Sequence, residues 1–302
     1  MTRALPFALA CLWIVGCSCA SPPAPRRDAG PGGDAGVGRD VGTGGRDAGA
    51  VDATFVDIGP ASEEVCDGVD NDHDGIVDNV DRGGDGVCDC LRIATIGTVG
   101  SAGSSGVFGT WLDSRSDVGA DDLGSQALTP ELLAPYQILL AQDISARTYS
   151  ADEVAALEAW IRAGGGFMTL TGYGGASEPS NINTLLAPTG IQYASGLVLC
   201  GCGFTLPVEG WHPHPVSDGI TRLGMDNGYP VMGAGTVVAD QSGNDLLRVV
   251  ELGSGHVIVW ADEWISFDSE WTGHPDYQVE RFWLNALKWL SPPAVCQVPI
   301  LI

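Results

Sequence analysis

Acidic side chains are concentrated in one short stretch, residues 64–81, with the spacing of a calcium-binding loop. Counted from Asp70, carboxylates stand at loop positions 1, 3, 5, 9 and 12, and Gly75 falls at position 6. In an EF-hand loop, alternating oxygen ligands surround one hard cation, a glycine permits a sharp turn, and position 7 offers a backbone carbonyl. The predicted calcium ligands are therefore Asp70, Asp72, Asp74, the carbonyl of Ile76, Asp78 and Asp81.

Two features affect this predicted site. Asp81 stands where EF-hands carry a longer glutamate, which predicts a looser site. Ten acidic residues lie between Glu63 and Asp89, and their mutual repulsion predicts a segment that folds only around cations. The alternative is a solvated acidic linker that binds no ion.

The same stretch resembles the MopE-type metal-binding motif of bacterial surface proteins. The resemblance covers residues 64–90 and rests on the run Glu-x-Cys-Asp-Gly that begins at Glu64, followed by residues rich in aspartate. It implies metal binding. The sequence departs from the family at His73, where a second cysteine is usual. A histidine ligand there would favour copper or zinc, so copper is the alternative to calcium; a solvent-exposed histidine without a ligand role is the other interpretation.

The N-terminus predicts export. Residues 1–16 read as a signal peptide, with Arg3 followed by an apolar run, and Ile14 to Cys17 match a bacterial lipobox. Lipidated Cys17 would anchor the chain to a membrane, at the cell surface or facing the periplasm. Ordinary cleavage near Ala20 is the alternative. A net charge of −24 excludes nucleic acid as a partner.

Composition divides the rest of the chain. Residues 17–62 are rich in proline and glycine and predict a disordered tether. Residues 63–90 are the acidic module, residues 91–293 an α/β domain and residues 294–302 a tail. The sequence leaves the oligomeric state open.

Short apolar runs in the domain alternate with helical patterns. Runs at 92–97, 138–142 and 167–171 predict buried parallel strands. A capping box, Ser150 with Glu153, begins a helix that the glycines at 164–166 end. Residues 247–252 and 256–261 predict a hairpin near the sheet edge, and an amphipathic helix from Val279 ends before Pro292. This alternation predicts a three-layer α/β fold with a mostly parallel sheet.

Segments 132–139, 157–166 and 214–220 make the domain similar to the class I glutamine amidotransferase-like superfamily, and more narrowly to its trehalose-utilisation (ThuA)-like branch. The resemblance implies a flavodoxin-like fold. In catalytic members, a cysteine occupies the turn after the central strand, with a histidine and a glutamate further on. Here that turn, residues 171–175, has neither cysteine nor serine, and residues 260–264 have no histidine. The hydrolytic chemistry of the superfamily is therefore predicted to be absent.

Ligand binding at the carboxyl ends of the strands remains possible, because open α/β sheets bind there. The candidate pocket residues are Asp143, Tyr173, Asp262 and Glu263. The main hypothesis is a non-enzymatic lipoprotein with a calcium module and a binding or scaffold domain, whose partner is a carbohydrate or a cell-surface molecule. The alternative is a ThuA-like enzyme acting on carbohydrate or another small molecule, with Asp262 and Glu263 as acid and base.

Cysteines in an exported chain favour disulfides. We predict Cys66–Cys88, which would close the acidic loop, and Cys90–Cys296, which would tie the start of the domain to the tail. Cys200 and Cys202 could hold a soft metal only if reduced. His212, His214 and Asp218 could form a metal set, although a structural turn is the favoured interpretation.

Overall fold

An eight-stranded mixed sheet organises the chain in the computed structural model, which describes residues 63–99, 106–116, 118–144, 147–172 and 178–292. The strands are β1 Ile93–Gly97, β2 Asp121–Asp122, β3 Ile138–Gln142, β4 Gly166–Leu170, β5 Ile191–Tyr193, β6 Leu206–Val208, β7 Gly210–Trp211, β8 Leu223–Met225, β9 Val231–Gly233, β10 Thr236–Gln241, β11 Asn244–Leu252 and β12 Gly255–Trp260. The sheet order is β2-β1-β3-β4-β12-β11-β10-β7, and β5–β9 and β6–β8 form two small antiparallel ribbons. The signal peptide, Cys17, the tether and the tail lie outside the described residues.

The first five strands of this order run parallel, and the remaining pairs are antiparallel. Every residue of β3 and of β4 is buried, as expected for apolar runs covered on both faces. The predicted hairpin exists as β11 and β12, but its predicted position near the edge is wrong. β12 lies in the middle of the sheet, since its apolar run pairs with β4 on one side and β11 on the other.

Among the described residues, six helices accompany the sheet: α1 Gly106–Asp113, α2 Pro130–Leu133, α3 Ala151–Arg162, α4 Glu178–Leu186, α5 Asp268–Thr272 and α6 Val279–Leu290. The capping box of α3 is present, with the Ser150 side chain accepting from the Glu153 backbone N–H and the Glu153 side chain from that of Ser150. α3 contacts α2, α4 and β12, whereas α6 contacts α5, β4 and β12. The sheet therefore lies between two groups of helices, which confirms the α/β fold class.

The strand register brings several chain segments to one edge. Gln142 pairs with Leu170, and Leu170 pairs with Trp260, so β3, β4 and β12 end side by side. The residues that follow them, including Asp143, Gly172 and Asp262, lie along this carboxyl edge of the sheet.

The acidic module packs against the domain. Val80, Val87 and Cys88 are buried and belong to the same hydrophobic core as β1. None of the helices in the described ranges is both long enough and apolar enough to cross a membrane.

Candidate functional site

Three carboxylates converge in the acidic module. One oxygen from each of Glu64, Asp70 and Asp72 lies within 4.8 Å of the others, and all three residues are half-buried. Asp70 Oδ2 accepts the Gly75 N–H at 3.0 Å. Its Oδ1 is shielded from solvent and accepts no hydrogen bond within the described part of the chain. The module thus brings acidic oxygens together and leaves one of them without a donor.

Glu64 is the centre of this arrangement, although the sequence analysis did not include it among the ligands. Its Oε1 accepts the N–H groups of Asn71 and Asp72, the latter at 2.9 Å, and its Oε2 accepts that of Asp78 at 3.0 Å. The signal for it was present, because Glu64 is the first residue of the Glu-x-Cys-Asp-Gly run. Glu64 lies six residues before Asp70 and so falls outside an EF-hand loop that starts at Asp70.

The other predicted ligands have partners elsewhere in the module. Asp74 accepts the N–H of Ile76 at 2.8 Å and the side-chain amide of Asn79 at 2.8 Å. Asp78 Oδ1 accepts two backbone N–H groups, from residues 67 and 68, each at 2.9 Å. Asp81 accepts those of residues 85 and 86 at 3.1 and 2.8 Å. The structure therefore brings together Asp70 and Asp72 from the predicted set and gives Asp74, Asp78 and Asp81 local hydrogen bonds.

His73 is exposed, and its Nδ1 lies 2.9 Å from the carbonyl oxygen of Asp70. Its backbone φ is 64°, in the left-handed region that few side chains adopt. His73 is not in the converging group of acidic residues.

The predicted disulfide pairing is wrong. Cys66 is bonded to Cys90, with a Cα–Cα distance of 5.3 Å, so neither Cys66–Cys88 nor Cys90–Cys296 forms as predicted. Sequence spacing could not separate Cys88 from Cys90, which are two residues apart. In the structure Cys90 is the partner of Cys66, and the N–H of Asp89, between the two cysteines, donates to the carbonyl of Val80 at 2.7 Å. Cys88, Cys200 and Cys202 are also disulfide-bonded, and Cys296 lies outside the described residues.

A second pair of carboxylates lies at the carboxyl edge of the sheet. Asp262 is fully buried and Glu263 is 6% exposed. Asp262 Oδ2 accepts the Asp226 N–H at 2.9 Å, and Oδ1 accepts the Glu263 N–H at 2.8 Å. Burial, and then the neighbouring charge of Glu263, hold the pKa of Asp262 well above its ordinary value. A carboxyl group in this environment favours its neutral form.

Gly172, in the turn after β4, lies directly against this pair of carboxylates. A Cβ at this position would overlap Glu263 Oε2 and lie 2.5 Å from Asp262 Oδ1. The carboxylates therefore fill the space beside the turn. Tyr173, the other predicted residue of the turn, lies outside the described residues.

Two buried carboxylates near this edge were missed by sequence reasoning. Asp226 is 1% exposed, and its two oxygens accept the N–H groups of Gly201 and Gly203 at 2.6 and 2.7 Å. Glu270, also 1% exposed, accepts the Thr205 hydroxyl at 3.3 Å. Neither residue belongs to a motif, so no local signal marks it as buried.

Asp143 follows β3 and is half-buried with a φ of 51°. Burial raises the pKa of its carboxyl, against a hydrogen bond to Gln142 that lowers it. Asp143, Asp262 and Glu263 thus occur along one edge, as predicted from the strand ends.

His212, His214 and Asp218, the residues of the possible metal set, each contact a different partner. His212 Nε2 lies 2.6 Å from Asp240, His214 Nδ1 accepts the Val216 N–H at 3.1 Å, and Asp218 pairs with Arg281 at 3.1 Å. The favoured structural interpretation agrees with these contacts.

Comparison with known proteins bears on the fold. No protein-family model and no curated protein matches the sequence. Among solved structures, the chain is similar to the cytoplasmic protein STM1381 from Salmonella typhimurium LT2, with a TM-score of 0.51 and 16% identity over 67% of this chain and 100% of that one. It is also similar to the N-terminal domain of mmIFT52, with a TM-score of 0.52 and 17% identity over 66% and 97% of the chains. A ThuA-like protein from Bacteroides uniformis ATCC 8492 overlaps at a TM-score of 0.39 and 13% identity, over 66% and 91%. At such identities the first two similarities establish an α/β fold and nothing about activity.

Proposed function

We propose that this chain is an exported lipoprotein in which the acidic module binds calcium and the α/β domain serves binding rather than catalysis. The observation that carries the proposal is the convergence of Glu64, Asp70 and Asp72 within 4.8 Å, with Asp70 Oδ1 buried and lacking a hydrogen-bond donor. A divalent cation would offset the repulsion among these groups and supply the missing partner.

The donor set favours calcium over copper. Every converging group is a carboxylate, and hard cations such as Ca²⁺ prefer oxygen, whereas copper prefers nitrogen or sulfur. In the proposed site, Glu64 supplies a glutamate carboxylate, whose side chain is longer than that of Asp81. The remaining predicted ligands, from Asp74 to Asp81, would join by exchanging backbone hydrogen bonds for the ion.

The anchor and the tether belong to this proposal on sequence grounds. Acylation at Cys17 would hold the chain to a membrane, because lipid chains contribute about 0.8 kcal/mol per buried methylene. Residues 17–62 would set the folded part away from the surface.

A binding role for the domain is supported by the occupied turn. Glu263 and Asp262 lie where a side chain at position 172 would project, and residues 260–264 contain no histidine. A second candidate function, an enzyme on carbohydrate that uses Asp262 and Glu263 as acid and base, draws on the buried proximity of the two carboxylates and on the raised pKa of Asp262. The complete burial of Asp262 and its two backbone hydrogen bonds favour a structural role instead.

Calorimetric titration of the mature chain with Ca²⁺ tests the calcium site. We expect a dissociation constant of about 10⁻⁴ to 10⁻³ M, in the range of extracellular calcium modules. Asp70→Asn should weaken binding at least about tenfold, since it removes one charged ligand. The matched control Glu63→Gln changes an exposed carboxylate outside the converging group and should bind like the wild type. Loss of binding in His73→Ala, or tighter binding of Cu²⁺ than of Ca²⁺, would instead assign a mixed nitrogen and oxygen site.

The anchor has its own test. Cys17→Ala should move the protein from the membrane fraction to the soluble fraction without changing its melting temperature, because the lipid lies outside the folded core. A Cys17→Ala protein that stays in the membrane fraction would contradict the lipobox.

A further inference from the structure

A crevice of about 210 Å³ opens at the carboxyl ends of β1 and β3, and its lining includes Thr98, Ser125, Asp143, Arg147 and Tyr149. From β1 the chain passes to β2 on one side and then returns to β3 on the other. The strand order therefore reverses at this crevice. Open α/β sheets bind their ligands at such switch points, outside the carboxyl ends of the strands.

The backbone at Asp143 holds its carboxyl group in an uncommon conformation. Its φ of 51° lies in the left-handed region, which aspartate adopts more readily than most residues with a side chain. Next to it, Gly97 leaves room for the chain to turn, since a Cβ there would overlap the Gln142 carbonyl. The N–H of Thr98 donates to that same carbonyl at 2.7 Å. The ends of β1 and β3 are thus fixed together beneath the crevice.

Arg147 is held from one side. Its Nη2 donates to Glu153 at 2.6 Å and to the carbonyl of Gln126 at 3.0 Å, and its guanidinium lies 4.2 Å from the centre of the Tyr149 ring. Glu153 is itself fixed by the capping box of α3. Within the described residues, Arg147 forms its ion pair with Glu153 and none with Asp143.

The crevice therefore presents a carboxyl group and a guanidinium that do not neutralise each other. A neutral ligand would leave Asp143 without a positively charged partner among the described residues, and a simple anion would meet Asp143 unfavourably. A simple cation would leave the Nε of Arg147, which has no hydrogen-bond partner within the described residues, still without one. A molecule with a positive and a negative end satisfies both. The hydroxyl groups of Thr98 and Ser125 are exposed at the same crevice and add neutral polar contacts.

We propose that this crevice binds a small zwitterion of free amino-acid size, with its carboxylate on Arg147 and its ammonium group on Asp143. A guanidinium matches a carboxylate through paired N–H groups, and charge-assisted hydrogen bonds are the stronger class. The inference rests on the binding role proposed for the α/β domain and is independent of the calcium site.

The test is calorimetric titration of the mature chain with glycine, L-serine and L-glutamate, and with glucose as a neutral polyol. We expect at least one of the amino acids to bind with a dissociation constant below about 1 mM, a free energy that two charge-assisted contacts can supply. The N-acetyl and methyl-ester derivatives of that amino acid each lack one charge and should bind at least about tenfold more weakly.

Asp143→Asn should weaken binding of the amino acid at least about tenfold. Asparagine tolerates the left-handed backbone of this position, so the variant should fold. Glu131→Gln, an exposed carboxylate on α2, is the matched control and should bind normally. Arg147→Gln should also lose amino-acid binding. If the melting temperature of Arg147→Gln falls, Arg147→Lys is tested instead, because it keeps the positive charge beside Glu153. Arg147→Lys should still bind the amino acid more weakly than the wild type.

Failure of all three amino acids at millimolar concentration would overturn the proposal, as would equal binding by Asp143→Asn. Glucose binding in their place would assign the crevice to neutral polyols and would equally overturn it. Asp70→Asn should leave amino-acid binding unchanged, so a failed calcium site and a failed crevice give different results.

Discussion

The acidic module and the carboxyl edge of the sheet both hold clustered carboxylates, but they do so in opposite ways. In the module, Glu64, Asp70 and Asp72 are half-buried, close to solvent and held by backbone N–H groups of their own loop. At the edge, Asp262 is fully buried, and its pKa is raised by burial and by Glu263. The first arrangement gathers carboxylate oxygens close to one another, whereas in the second the raised pKa of Asp262 favours its protonated form.

The difference shows that solvent exposure, rather than residue type, decides what a pair of acids can do. A carboxylate near water stays ionised and can attract a metal, because the solvent screens its neighbours. A carboxyl group without water around it either takes a proton or needs a charged partner. The sequence patterns Asp-x-Asp and Asp-Glu look alike in composition but lie in different environments, one half-buried and the other buried.

Removing the disulfide Cys66–Cys90 should have the largest effect, a loss of stability in the acidic module. Replacing both cysteines with serine should lower the free energy of unfolding by about 3 kcal/mol in the chain-entropy model, because the cross-link closes 24 residues. Chemical denaturation measures the loss. We also expect the module to be cleaved faster by protease, while cleavage within the sheet changes less.

Peptide mapping without reduction provides the control on connectivity. Cleavage before Asp89 separates Cys88 from Cys90, so the two alternatives give different linked peptides. A peptide that joins Cys66 to Cys88 would contradict the pairing described here.

A substitution at Gly172 tests how tightly the buried carboxylates Asp262 and Glu263 are packed. Gly172→Ala should destabilise the domain by about 1–3 kcal/mol, because its Cβ would overlap Glu263 Oε2 in a packed site. Gly109→Ala on α1 is the matched control, since a Cβ there meets no atom within 4 Å. Thermal or chemical unfolding of the two variants compares them directly. Equal stability would mean that the carboxylates are free to leave the turn.

The smallest effect is a change in the pH dependence of stability. The folded pKa of Asp262 is raised, so the folded chain binds more protons than the unfolded chain at pH values above the ordinary aspartate pKa, about 3.9. Stability should therefore fall as pH rises from that value through the raised pKa, by at most about 1.4 kcal/mol per pH unit.

Asp262→Asn should flatten this part of the curve, whatever its effect on stability at a single pH. Unfolding curves at successive pH values measure the slope. Asp122→Asn, an exposed carboxylate, is the control and should keep the slope of the wild type. A slope that Asp262→Asn leaves unchanged would assign the pH dependence to another group.

Much of the fold could be predicted from local pattern. The runs at 138–142 and 167–171 became buried parallel strands to within one residue, and the capping box at Ser150 begins α3. These features depend on periodicity and on hydrogen bonds between near neighbours. The position of β12 in the middle of the sheet could not be read in this way, because strand order depends on which distant segments pair.

The candidate site was predictable in part for the same reason. Strand ends indicated Asp143, Asp262 and Glu263, whereas Asp226 and Glu270 are buried by segments far away along the chain. Glu64 reaches its group across six residues, through backbone contacts that an EF-hand count does not include. The cysteine pairing also required three dimensions, since Cys88 and Cys90 are equivalent in sequence spacing.

By itself, the sequence determined the element types, the acidic character of residues 63–90 and the lack of a cysteine or serine in the turn at 171–175. These follow from side-chain chemistry and short-range periodicity, which act within a few residues. Only the tertiary structure decided which carboxylates converge, which are buried, and where a carboxyl group and a guanidinium line one crevice. Those outcomes depend on burial and on distances between remote segments, and both arise only when the sheet and its helices pack together.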